Sequence, residues 1–240
     1  MDPCRRTAFR FCLSCIVPLV LSGCDKKSGD DRGNHASSNT VASNGSSPPG
    51  STEEPENITA DEFNALLGGD KWATDCILQE SNAAIVYEYR TIQFKDNKAI
   101  VSFDKFYDPR CQEGIFTTIY TSSYSLGKFA DYLNVPTGFE IDYVYLSAQL
   151  IQHNQAQLDS YNDLGAYGYT DWVLNEPKDI TGRAFGTTST DAVAAAGELD
   201  YDVIAIADGY MTIGLTESGD GKSTVTRPKE LLPNVIFRRN

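Results

Sequence analysis

Four residue sets could carry chemistry in this chain: two histidines, six cysteines, several paired acids and 13 tyrosines. His35 and His153 are too few for a His-rich metal centre, and any triad would rest on one imidazole. No Gly-x-Ser-x-Gly elbow supplies a nucleophile. His153 is expected on a helix with Gln152, Asn154 and Gln155, as a surface or hydrogen-bonded residue. Glu140/Asp142 and Asp200/Asp202 sit two apart, so each pair shares one strand face and could form a glycosidase dyad or hold Ca²⁺. The opposite faces carry Phe, Ile, Tyr and Leu, which places both pairs on solvated faces. Asp220 and Glu217, in a glycine-containing loop, suit Ca²⁺ better but lack an EF-hand ligand series. Gly219-Asp220-Gly221-Lys222-Ser223-Thr224 has Thr216 where a phosphate-binding loop needs its first glycine, and Val225, Thr226 and Pro228 disfavour the helix that should follow. These residues therefore imply no catalytic group, metal or cofactor.

The tyrosines are better placed. Tyr87/Tyr89, Tyr120/Tyr124 and Tyr143/Tyr145 fall at even spacings, so each pair lies on one face of its strand. Ringed around a barrel, they could line an apolar cavity with hydroxyl handles for a small amphipathic molecule. They could equally fill the barrel or cover its outside.

Arg5, Arg6 and Arg10 precede a short apolar run from Phe11 to Leu21, followed by Leu21-Ser22-Gly23-Cys24. This segment resembles the signal peptide and lipobox of bacterial secretory lipoproteins. That likeness implies cleavage after residue 23 and acylation of Cys24, whose chains would insert into the lipid bilayer. Asp25 after the cysteine, followed by Lys26 and Lys27, leaves inner- and outer-membrane sorting both open. Losing residues 1–23 removes three basic groups and one acid, taking the net charge from −13 to −15. So acidic a body repels anionic head groups and phosphate backbones alike, which argues against nucleic-acid partners and leaves attachment to the lipid. Cys4, Cys12 and Cys15 would leave with the signal and Cys24 would carry lipid. Cys76 and Cys111 then remain as an even pair in an oxidising compartment, the composition of a disulfide.

Residues 24–57 would form a Ser/Gly/Asn/Pro-rich tether, and residues 58–240 a single domain. Thr59-Ala60-Asp61-Glu62 has capping-box spacing before Phe63, Leu66 and Leu67, and Gly68-Gly69 should end that helix. Strands are expected at 71–77, 83–94, 98–107, 115–126, 139–145, 199–207, 210–216 and 234–239. Asp96-Asn97 and Asp208-Gly209 supply hairpin turns, and a helix is expected at 149–162. Antiparallel strands in chain order specify a mainly β fold, an up-and-down barrel or barrel-like sandwich with one or two short helices. Gly69-Asp70-Lys71-Trp72 on the first strand and Arg238-Arg239 on the last resemble a lipocalin pattern. In that family an arginine near the C-terminus covers the tryptophan and closes one barrel end; here two residues, rather than one, separate Gly69 from Trp72. Trp72, Cys76, Cys111, Gly219-Asp220-Gly221 and Arg227-Pro228 together also resemble bacterial envelope lipoproteins, a likeness that implies no activity. The expected function is non-enzymatic binding of a small amphipathic molecule or an envelope partner. The alternative is a surface interaction protein with a filled core, and an envelope hydrolase is the third reading.

Overall fold

Thr59 starts the first helix as its pattern requires. In the computed structural model, which describes residues 58–80, 85–135, 137–186 and 192–240, its hydroxyl accepts from the Glu62 N–H at 3.3 Å. The Glu62 carboxylate returns to the Thr59 N–H at 2.8 Å, and these bonds hold that carboxyl below its usual range. The resulting helix, α1 (Ala60–Leu67), buries Phe63 and Leu67 and leaves Leu66 facing out. The expected signal segment, Cys24 and the tether lie outside the described residues.

The strands are β1 (Lys71–Ala73), β2 (Ile77–Glu80), β3 (Ile85–Lys95), β4 (Lys98–Phe106), β5 (Gly114–Phe129) and β6 (Gly138–Gln152). They continue through β7 (Pro177–Asp179), β8 (Leu199–Ala207), β9 (Tyr210–Ile213) and β10 (Phe237–Arg239). Eight of them close an antiparallel barrel in the order β1-β10-β9-β8-β6-β5-β4-β3, with β3 pairing back onto β1. Neighbours in the chain are neighbours in the ring, so the fold is up-and-down. Asp96-Asn97 and Asp208-Gly209 all have positive φ, as the tight turns of right-twisted hairpins require.

One barrel end is closed by α1. The Trp72 indole lies fully buried beneath it and donates to the Leu67 carbonyl at 3.1 Å. Arg239 covers the ring at 5.0 Å and donates to the Leu66 carbonyl at 2.6 Å, fastening helix to barrel. Arg238, its neighbour on the opposite face, turns outward to pair with Asp75 and stacks over Tyr210.

The other end is built from an extension of β5 and β6. A bulge at Leu146 puts Ala148 and Leu150 on the inner face in place of odd-numbered residues. There they meet Leu158 and Tyr161 of a second helix, α2 (Gln155–Leu164), with Tyr167, Trp172, Ile180 and Val193. Tyr120 packs against both this cluster and the main barrel core, so the packing is continuous between the two ends.

Three expectations need correction. The expected first strand at 71–77 is broken into β1 and β2 around Asp75 and Cys76. The helix expected from residue 149 begins at Gln155, because residues 149–151 pair with β7 as strand. Asp200 and Asp202 are not on a solvated face: they oppose Tyr143 and Ile141 on the inner side and are nearly buried. The Asp202 carboxylate accepts from the N–H groups of Val203 and Gly214, the latter at 3.1 Å, where β9 diverges from β8 and would leave that donor unmet. A Cβ at Gly214 would stand 2.2 Å from that carboxylate oxygen. Glu140 and Asp142 lie on the outer side, where the buried Arg227 pairs with both and donates to the Ile141 and Asp202 carbonyls.

Candidate functional site

The six singled-out tyrosines divide between two surfaces. Tyr120, Tyr124, Tyr143 and Tyr145 share the inner face, as their cross-strand pairing with Val101, Ala148 and one another requires. Tyr143 and Tyr145 are almost fully buried. Burial pushes both phenols well above their ordinary value; Asp202 and Asp200 add to this at Tyr143, and Asp200 at Tyr145. Tyr120 stands edge-on to Phe103 and Tyr145 at about 6 Å, and Tyr124 edge-on to Phe94 at 5.1 Å. The Tyr124 hydroxyl donates to Asn64 of α1 at 2.7 Å. Tyr87 and Tyr89 point the other way, because the inner face of β3 carries the buried Val86, Glu88, Arg90, Ile92 and Phe94.

Glu88 and Arg90 bring charge into the interior. One Glu88 oxygen pairs with Arg90 and the other with Lys105, and all three side chains are at least nine-tenths buried. The Arg90 guanidinium also lies 5.8 Å over the Phe103 ring. Burial draws its pKa down from the ordinary value while Glu88 opposes that pull. The group ties β3 to β4 across the barrel wall.

His153 directly follows β6 and lies off the helix where it was expected. Its Nε2 is 2.8 Å from the Thr117 hydroxyl, and its Nδ1 is 2.8 Å from the Asn175 side-chain oxygen. The spacing is that of a nucleophile, a base and a group orienting the base, beside a cavity of about 330 Å³. The chemistry differs. Thr117 has one hydroxyl proton, donated to Asp104 at 2.5 Å, so Nε2 of the imidazole donates to that oxygen and cannot accept its proton; Nδ1 of the neutral ring then accepts, which sets the Asn175 amide with its nitrogen toward the ring. The chain Asp104–Thr117–His153–Asn175 therefore joins β4, β5 and the end of β6 to the loop before β7. Among the described residues, no three His, Cys, Asp or Glu side chains converge on a point that could hold a metal.

A larger concave feature among the described residues lies outside the barrel, where β1 breaks from β2. Cys76 and Cys111 form a disulfide with a Cα–Cα distance of 5.9 Å, drawing the β4–β5 loop against the break. The Asp108 carboxylate grips that loop by accepting from the N–H groups of Arg110, Gln112 and Glu113, and these bonds lower its pKa. Between loop, break and β10 opens a cleft of about 560 Å³, a volume suited to small ligands. Tyr89 and Phe106 line it beside the disulfide, together with Arg110, Arg238 and Arg239. Sequence reasoning placed Tyr89 in a lining set and paired the cysteines, but gave Arg110 no role. Its position next to Cys111 was the available signal. The loop after β9 that resembled a phosphate site opens no helix and packs Gly219 against the backbone of Arg227. No protein-family model matches this chain, and no curated protein matches it.

Proposed function

We propose that this is a lipid-anchored protein of the bacterial cell envelope that acts by binding, with a filled barrel serving as a rigid platform and recognition carried on its outer surface. The carrying observation is the continuous packing from Phe63 and Trp72 under α1, through Tyr120, to Leu158 and Trp172 beneath α2. Four of the six tyrosines proposed to line a ligand cavity are packed in that interior, and Tyr89 instead faces the external cleft. The anchor rests on the Leu21–Cys24 lipobox; the acidic body makes lipid the means of attachment. Among the described residues no helix is long and apolar enough to cross a membrane. The likeness of the Trp72–Arg239 closure to lipocalins supports the binding class over the hydrolase.

Two measurements test the reading. Titration of the purified protein with a fluorescent fatty-acid analogue should give no stoichiometric, saturable enhancement; a one-to-one complex that quenches Trp72 or Trp172 would restore the internal-ligand alternative. In cells fed an alkynyl fatty acid, Cys24→Ala should abolish incorporation of label into the protein. Label that persists in the variant would refute the anchor.

A further inference from the structure

We infer that the cleft beside the disulfide binds the phosphate group of a small organic phosphate, with Arg110 as its principal charge partner and the ester's apolar body over Tyr89 and Phe106. The proposal deepens the reading of external recognition and rests on it. Among the side chains lining the cleft, three arginines face one carboxylate, Asp75, although the chain as a whole carries 33 acids against 20 bases. The three are not equivalent. Arg238 is held by Asp75, and Arg239 by Asp70, the Leu66 carbonyl and the Trp72 ring. Arg110 makes no ion pair among the described residues: its backbone N–H binds Asp108, and its guanidinium remains available to a ligand.

The cleft is also organised before any ligand arrives. The disulfide and the three bonds to Asp108 fix the loop that carries Arg110, so less ordering entropy opposes binding. A guanidinium fork matches two oxygens of a phosphate. Thr74, nearly buried in the cleft wall, accepts from the Arg90 N–H at 3.0 Å and so ties the break after β1 to β3. The aromatic floor supplies what inorganic phosphate cannot use.

Calorimetric titration of the full-length protein with phenyl phosphate, inorganic phosphate and phenol tests this. Phenyl phosphate should bind at one site, more tightly than either fragment, and more weakly as salt rises. Arg110→Ala should weaken it by roughly 10- to 100-fold, the worth of a hydrogen-bonded charge pair, while leaving the melting temperature unchanged. Arg110→Lys should recover part of the affinity. A parallel flotation assay of the unacylated Cys24→Ala protein with vesicles containing phosphatidylglycerol distinguishes the source: Arg110-dependent flotation without phenyl phosphate binding would place the same phosphate recognition at a lipid head group. No Arg110-dependent binding in either assay overturns the proposal. A fatty-acid analogue bound inside the barrel would instead overturn the reading beneath it, so the two failures are distinguishable.

Discussion

Glu88→Ala is expected to lower the melting temperature by on the order of 10 °C. The substitution removes the one carboxylate with which two nearly buried cations, Arg90 and Lys105, both pair on the inner face of the barrel. Breaking a buried pair in this way typically costs about 3–5 kcal/mol, because the remaining charge keeps its desolvation penalty without its partner. At this chain length 1 kcal/mol corresponds to roughly 2–4 °C. The control is the triple variant Glu88→Met/Arg90→Met/Lys105→Met, which removes all three charges at similar volume. It should recover most of the loss, since uncharged side chains leave no desolvation cost unmet. Thermal denaturation followed by circular dichroism reads both. A Glu88→Ala protein melting within about 2 °C of the parent, less than 1 kcal/mol on that scale, would mean that water reaches these charges and the inner face is not packed there.

That triad also explains why part of the interior was hard to read from sequence. In β4 the inner face carries Val101, Phe103 and Lys105, so a lysine follows two apolar residues on one side of the strand. β3 offers two faces, Ile85, Tyr87, Tyr89 and Val86, Glu88, Arg90. Hydropathy favours the first; the barrel buries the second, because Lys105 supplies a partner on the adjacent strand. A one-residue parity error turns a whole face over, and so Tyr87 and Tyr89 were grouped with tyrosines on the other side of the wall. Asp202 misled for a related reason: the N–H of Gly214 that rewards it lies just past the end of the neighbouring strand β9. Cross-strand compensation is invisible to the periodicity of one segment.

Local signals fared better. Thr59 with Glu62 and the turns at Asp96-Asn97 and Asp208-Gly209 act within a few residues and were legible as written. The number and order of the strands narrowed the fold to an up-and-down barrel or a barrel-like sandwich, and the pairing of β3 back onto β1 closes it as a barrel. The bulge at Leu146 was not legible: it extends β6 to Gln152, moves the start of α2 to Gln155 and shifts His153 off the helix. Of the cleft, the disulfide, Tyr89 and Arg238-Arg239 had been singled out, the two arginines only as a closure of the barrel end. Its arginines come from segments about 130 residues apart, and only closure of the barrel brings Arg110 beside Arg238.

Removing the disulfide should have an effect of similar size on stability and a second one on the cleft. The bridge closes a separation of 35 residues, for which the chain-entropy model gives about 4 kcal/mol, within the roughly 2–5 kcal/mol typical of secreted domains. Cys76→Ser, Cys111→Ser and the double variant should therefore melt alike, on the order of 10 °C below the parent. Single variants that melt higher than the double would mean that something other than the shared crosslink stabilises the fold. Cys111 sits at φ 53°, a conformation a non-glycine residue holds only when its surroundings impose it. With the bridge gone, the Asp108 bonds alone must fix the loop carrying Arg110. Phenyl phosphate affinity, measured well below the melting transition, should then fall while its dependence on Arg110 persists. Affinity equal to the parent's in the double variant would show that Asp108 suffices to shape the cleft, and that the disulfide serves stability alone.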